Sequence, residues 1–250
     1  MFAPVGTRRT FEAAIAQIAD RVRAGDLRPG DRLPSERDLA ATMEISRPTL
    51  REAVQVLAEA GVVEVRPGAA GGTYVVTDFV PRALLRRSSD RRTAEIPALL
   101  EARRVLEPRV AQLAAARAGD ADLEAMAETI ERQRELLEQG PVLAQEDRFL
   151  QLDLRFHHAM GRASGNVVVA RMVGQLLHDL ELARDTALHV PVVVGAAIAV
   201  HERTLAAIRS GDPEAVEEAM DEHLGQLERS WEEATGRPLA PPAPAFLPGG

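Results

Sequence analysis

The sequence predicts a mainly α fold in two parts: three short helices closed by a β-hairpin, then an all-α helical bundle. Three observations carry this expectation. The 250 residues are 46% hydrophobic but only 3% aromatic, an Ala/Leu/Glu/Arg-rich composition that favours helix and must build its core from aliphatic side chains. Two short β-branched runs, Val62–Arg66 and Thr73–Val76, flank a Gly-rich stretch. From Ala94 onward, apolar residues recur almost everywhere at helical spacing.

The elements follow in order. Phe11, Ile15, Ile18, Ala19 and Val22 mark one face of a helix over 10–24, stopped by Gly25. A turn-rich connector, Leu27 to Pro34, leads to a second helix. Ser35 is placed to cap it, with Asp38 at the reciprocal position of a capping box. Ser46 caps a third helix that tolerates Pro48 in its first turn and ends at Gly61. Pro67-Gly68-Ala69-Ala70-Gly71-Gly72 turns the hairpin. Three helices and such a hairpin make a winged helix over 1–76. Residues 77–93 read as a linker. Six helices are expected near 94–118, 120–139, 143–163, 166–188, 191–210 and 213–234. The Pro-rich stretch 236–250 reads as a disordered tail.

Composition excludes some chemistry. There is no cysteine, so there is no disulfide framework and no thiolate metal site. The N-terminus has no apolar leader run, and the longest apolar run, Val190–Val200, carries Pro191 and Gly195 and is too short to span a bilayer. A soluble cytoplasmic protein without membrane partners is the expectation. The net charge of −8 is unevenly spread: residues 1–76 hold 10 Arg and 10 Asp+Glu, and 77–250 hold 20 Arg and 28 Asp+Glu. The acidity belongs to the second part, and the neutral first part is able to gather arginine on one face.

The string Gly30-Asp31-Arg32-Leu33-Pro34-Ser35-Glu36-Arg37-Asp38-Leu39-Ala40, then Ser46-Arg47-Pro48-Thr49-Leu50-Arg51-Glu52-Ala53, then Leu57, Gly61 and Gly68, closely resembles the winged helix-turn-helix of the GntR family of transcription regulators. The resemblance covers roughly 10–76 and implies a homodimer on double-stranded operator DNA. By this resemblance Arg37, Arg47, Thr49, Arg51 and Gly68 touch DNA. The physics agrees: a recognition helix points its N-terminal residues at base edges, and Arg47 and Arg51 share a face at i,i+4. One guanidinium is able to fork onto guanine while Thr49 meets a phosphate or a thymine methyl. The competing reading is a set of solvated surface arginines. Glu36 and Glu52 read as structural, through caps or pairing with arginine.

The second part holds six histidines. Asp153 and His157 stand one helical turn apart on one face, a spacing that suits chelation of one metal ion. His201 and His223 sit in amphipathic segments of the last two helices and are able to point inward. Each histidine alone reads more simply as a core group; the four together favour a metal site. His158 faces away from His157, and His178 and His189 have no partner at ligand spacing.

Leu100-Glu101-Ala102-Arg103-Arg104-Val105-Leu106-Glu107, Asp153-Leu154-Arg155-Phe156-His157, Ala163-Ser164-Gly165-Asn166, His201-Glu202-Arg203 and Ala219-Met220-Asp221-Glu222-His223-Leu224 together resemble the FCD ligand-binding domain of the FadR-type subgroup, over about 94–232. The resemblance implies a divalent metal held by Asp153, His157, His201 and His223. Zinc is the first expectation, with nickel, iron and manganese also suited to imidazole and carboxylate. It also implies a small carboxylate effector, with Arg103 facing it; a surface ion pair between Arg103 and Glu107 is the alternative. Asn166 either lines the effector pocket or caps the helix it opens. The expected protein is a ligand-responsive regulator, a repressor by default, and not an enzyme. A metal sensor is the alternative. A metalloenzyme is disfavoured, since no general base stands beside the site and Glu202 points to another face.

Overall fold

The computed structural model describes residues 7–68, 71–81, 84, 96–140, 145–180 and 193–239. The chain divides into two compact units, Met1–Arg87 and Ser88–Gly250.

The first unit is a winged helix. Helix α1 (Thr7–Arg23) buries Ala14, Ile15, Ile18, Ala19 and Val22, the stripe that the periodicity requires. Helix α2 (Glu36–Thr42) begins at Ser35, whose Oγ accepts from the Asp38 amide at 3.2 Å. The expected reciprocal bond is made differently: the Ser35 hydroxyl donates to Asp38 Oδ2 at 2.6 Å, so the carboxylate closes on the hydroxyl and not on the Ser35 amide. Helix α3 (Arg47–Glu59) is capped by Ser46, with Pro48 in its first turn, and buries Leu50, Ala53, Val54 and Leu57 against α1. Strands β1 (Val63–Arg66) and β2 (Gly72–Val75) pair antiparallel in the register Val63↔Val75. The connector joins the sheet edge, since Leu33 donates to Thr73 O and Gly30 to Val75 O, both at 2.8 Å.

Val80 lies in the same core as Leu33, Leu50, Leu57 and Val75. The first packed unit therefore reaches beyond Val76, where the sequence reading placed the start of the linker. Val80 stands between Phe79 and Pro81 in irregular chain, where no helical or strand period announces its burial.

The described part of the second unit is helical apart from short connections and the stretch after Thr235. It comprises α4 (Ile96–Arg117), α5 (Asp120–Glu138), α6 (Glu146–Ala163), α7 (Val167–Asp179), α8 (Val193–Ser210) and α9 (Pro213–Thr235). Helix α6 runs through the middle. It buries Phe149, Leu150, Leu152, Leu154, Phe156, Ala159 and Met160, so almost every face is covered, as for a helix enclosed in a bundle. It packs on α4, α5 and α7, while α8 and α9 pack on each other and on α4. Residues 181–188, where the sequence reading continued α7, lie outside the described residues, as do Pro191 and His189.

A satellite cluster of Ile96, Leu100, Leu176, Leu180 and Trp231 closes one end of the bundle, with Leu239 packed against it. Gly236 takes the left-handed conformation (φ 65°) that ends α9, Leu239 then donates to Glu232 Oε1 at 2.6 Å, and the chain is folded onto Trp231 through residue 239. Glycine adopts this angle without steric cost. Residues 240–250 lie outside the described residues.

Candidate functional site

In the first unit the arginines named from sequence are solvent-facing. Arg37 on α2 and Arg47 and Arg51 on the first turns of α3 are exposed. Arg51 Nη2 lies 2.8 Å from Glu36 Oε2. This hydrogen bond holds the Glu36 carboxyl below its ordinary value. Thr49 is placed differently. It is 9% exposed, and its hydroxyl sits 2.7 Å from Ser46 Oγ inside the cap. Gly68 turns the hairpin at φ 104°.

The hairpin contains groups that the sequence reading passed over. A Cβ on Gly71 would lie 2.2 Å from Arg66 O, so the turn closes only on glycine. The Arg32 guanidinium donates to Gly71 O, and a Cβ on Gly72 would lie 2.6 Å from its Nε. Arg66 stacks over the Tyr74 ring at 4.4 Å. The Gly71-Gly72 pair was the available signal; its partner Arg32, 39 positions earlier, was not.

In the second unit three helices bring His157, His201 and His223 together, with ligand atoms within 4.8 Å of one another. Helix α6 supplies His157, α8 supplies His201 and α9 supplies His223. All three are buried. His157 Nε2 and His223 Nε2 are 3.3 Å apart. Asp153, one turn before His157, brings Oδ1 to 3.3 Å from His201 Nε2. The three histidines named from sequence thus converge, and Asp153 approaches them through His201. His158 lies beside Gly174 of α7, where a Cβ would meet its ring at 3.2 Å. His178 lies on α7, outside the cluster.

The outer nitrogen of each ring faces a polar group on a neighbouring helix. His157 Nδ1 lies 2.8 Å from Glu107 Oε2 on α4. His201 Nδ1 lies 3.1 Å from Gln133 Oε1 on α5. His223 Nδ1 lies 3.0 Å from Thr204 Oγ1 on α8. Phe156 stacks on the His201 ring at 4.2 Å and 15°. None of Glu107, Gln133, Thr204 and Phe156 was singled out from sequence as a site residue, because their roles exist only once four helices are packed.

Burial, and then the charges of His157, His201 and Arg103, push the His223 pKa well below its ordinary value. The ring is therefore neutral, the form that binds a metal. Burial opposes ionisation of Glu107, but Arg103 and His157 outweigh it and hold the carboxyl well below its usual range. At 3.3 Å the two facing Nε2 atoms either share one proton in a hydrogen bond or stand together as donors toward a cation. With Asp153 alongside, this donor set fits a divalent first-row metal.

Arg103 makes the i,i+4 pair with Glu107, but inside the bundle and not on its surface. Its guanidinium grips Glu107 through two bonds, of 2.6 Å and 3.1 Å. The pair is not on the surface, since the side chains are 2% and 0% exposed. The same guanidinium reaches inward, with Nη2 3.5 Å from His157 Nε2. Asn166 caps α7: its Oδ1 accepts from the amides of Val168 and Val169 at 3.0 Å and 3.3 Å, and the residue is exposed. Glu202 pairs with Arg134, away from the cluster.

Residues 10–75 match the bacterial regulatory proteins of the gntR family, and residues 98–226 match the FCD domain. The HTH-type transcriptional regulator LutR of Bacillus subtilis (strain 168) is 33% identical over 221 residues, spanning 83% of this chain and 94% of its own. The HTH-type transcriptional repressor NanR of Citrobacter rodentium (strain ICC168) is 25% identical over 233 residues, spanning 91% and 87%. Among solved structures, that of E. coli McbR/YncC superimposes with a TM-score of 0.53 at 20% identity over 93% of this chain and 99% of its own. That likeness is one of fold.

Proposed function

The chain belongs to the gntR family of bacterial regulatory proteins and is a DNA-binding transcription regulator with an FCD effector domain, not an enzyme; on that premise we propose that it is a repressor whose operator affinity is set by a small carboxylate bound beside a divalent metal. The repressor reading draws support from NanR, whose name carries that role. The DNA reading rests on α3, which opens with Arg47 and carries Arg51 one turn on. Its N-terminal turn enters the major groove, where arginine forks onto guanine. Arg37 adds a phosphate or base contact, Thr49 fixes the first turn beside the DNA, and Gly68 lets the hairpin approach the duplex. The chain acts as a homodimer on two-fold half-sites, as helix-turn-helix proteins do. Among the described residues no helix is long and apolar enough to cross a membrane. This accords with a cytoplasmic site of action.

Asp153, His157, His201 and His223 would hold the metal, with zinc the first expectation. The bound metal would supply a Lewis-acidic positive charge for a carboxylate oxygen. Arg103, whose charge Glu107 balances, would offer a guanidinium N–H to the carboxylate beside the metal. The helix-capping role of Asn166 leaves it the weaker effector candidate. The observation that carries this reading is the convergence of three buried imidazoles and a carboxylate next to the Arg103 guanidinium. Effector binding changes operator affinity only if it favours one DNA-binding conformation over another.

The test is elemental mass spectrometry on natively purified protein and its His157→Ala variant, followed by operator titration with small carboxylates. About one first-row metal per wild-type chain, lost in the variant, supports the site. Operator affinity unchanged by every acid tested counts against the effector.

A further inference from the structure

The outer face of the histidine cluster carries information that its inner face does not. An imidazole binds a metal through one nitrogen, and which one is decided by the hydrogen bond at the other. Thr204 has a single proton, and it goes to Val200 O at 2.8 Å. The hydroxyl oxygen is therefore the acceptor toward His223 Nδ1 at 3.0 Å, and Nδ1 must carry the proton. Gln133 Oε1, a carbonyl oxygen, is likewise only an acceptor toward His201 Nδ1 at 3.1 Å. Glu107 presents a carboxylate oxygen to His157 Nδ1 at 2.8 Å. Three acceptors of different chemistry, on α4, α5 and α8, thus make the same choice. They favour the proton of each ring on Nδ1 and turn each Nε2 toward the centre, where Asp153 Oδ1 also faces His201 Nε2. Gln133 and Thr204 are fully buried, and burying a carbonyl or hydroxyl oxygen is costly unless it is bonded.

We infer that Gln133 and Thr204 are positioning residues of the metal centre, acting with Glu107 to fix the Nε2-donor tautomer of the three histidines. This inference rests on the metal-site reading above. It assigns the two residues no contact with metal or effector. Their effect passes through ring orientation and basicity, and loss of such an acceptor lowers metal affinity by about 10- to 100-fold.

The test titrates chelator-stripped full-length chain with Zn(II), and with Co(II) followed by its visible absorption. Wild type is compared with Thr204→Val, Thr204→Ser, Gln133→Leu, Gln133→Glu and His157→Ala. Thr204→Val removes the acceptor at constant shape, and Thr204→Ser keeps it. Gln133→Leu removes the acceptor, and Gln133→Glu keeps it. The expected result is an affinity loss of about 10- to 100-fold for Val and Leu, recovery in Ser and Glu, and an altered Co(II) spectrum in Val and Leu. Thermal melts of the stripped proteins establish that each variant is folded. If His157→Ala abolishes binding while Val and Leu bind like wild type, the positioning role is overturned and the metal site stands. If wild type takes up neither metal, the metal site fails and this assignment falls with it.

Discussion

Arg103 and Glu107, one turn apart on α4, form an ion pair that is almost entirely withdrawn from solvent, with the guanidinium also facing His157. Two charges leave water here, so the pair stands only while both are present.

Removing one partner leaves an uncompensated buried charge. Glu107→Ala and Arg103→Ala are each expected to destabilise the chain by about 3–5 kcal/mol. Arg103→Met combined with Glu107→Leu should cost less than either truncation. Urea unfolding of the metal-stripped protein measures all three. Additive costs in the double variant would show that the two groups are not coupled.

Arg51 is partly neutralised by Glu36 at 2.8 Å. Glu36→Gln should free that guanidinium for DNA. The slope of log affinity against log salt on an operator selected from random duplexes then steepens by about one unit, while Arg47→Ala flattens it by about one. Both side chains of the Glu36–Arg51 pair reach solvent, so thermal stability should barely move.

The hairpin is clamped by Arg32 reaching across Gly72 to Gly71 O. An alanine at Gly72 would displace that guanidinium. Gly72→Ala and Arg32→Ala should each weaken operator binding in fluorescence anisotropy. Their combination should weaken it by less than the sum, because one contact is lost in both. Full additivity would mean that the arginine does not hold the hairpin.

His223 has a native pKa below the ordinary value of 6.5. As pH falls below that value the unfolded chain takes up the proton before the folded one does. Stability from this group is therefore complete above about pH 6.5 and declines below it. In metal-stripped protein the urea midpoint should fall on acidification, and His223→Leu should flatten that fall. An unchanged pH profile in the variant would place the sensitivity elsewhere.

Much of this was legible from sequence because local chemistry decides it. Ser35 and Ser46 cap helices through bonds to residues three positions on. The Asp153 and His157 spacing puts both on one face of α6 whatever surrounds it. His201 and His223 were legible as inward-facing from the apolar neighbours on their own helices. What stayed hidden depends on separations in sequence of tens of residues. Gln133 and His201 lie 68 positions apart, and Arg32 and Gly71 lie 39 apart. Glu107 shows the boundary between the two. Its pairing with Arg103 follows from i,i+4 spacing, but its burial does not, because an ion pair on a helix is ordinarily at the surface. The burial of Val80 and the packing of Leu239 stayed hidden for a related reason: apolar residues in irregular chain have no period to read.

Helix α6 contributes two of the four ligand candidates while being covered on nearly every side. A change there disturbs the whole interior along with the site. Helices α4, α8 and α9 present Arg103, His201 and His223 from elements that also keep exposed faces. Substitutions on those three helices have solvent into which to expand, whereas a change on α6 is felt by nearly every neighbour in the bundle.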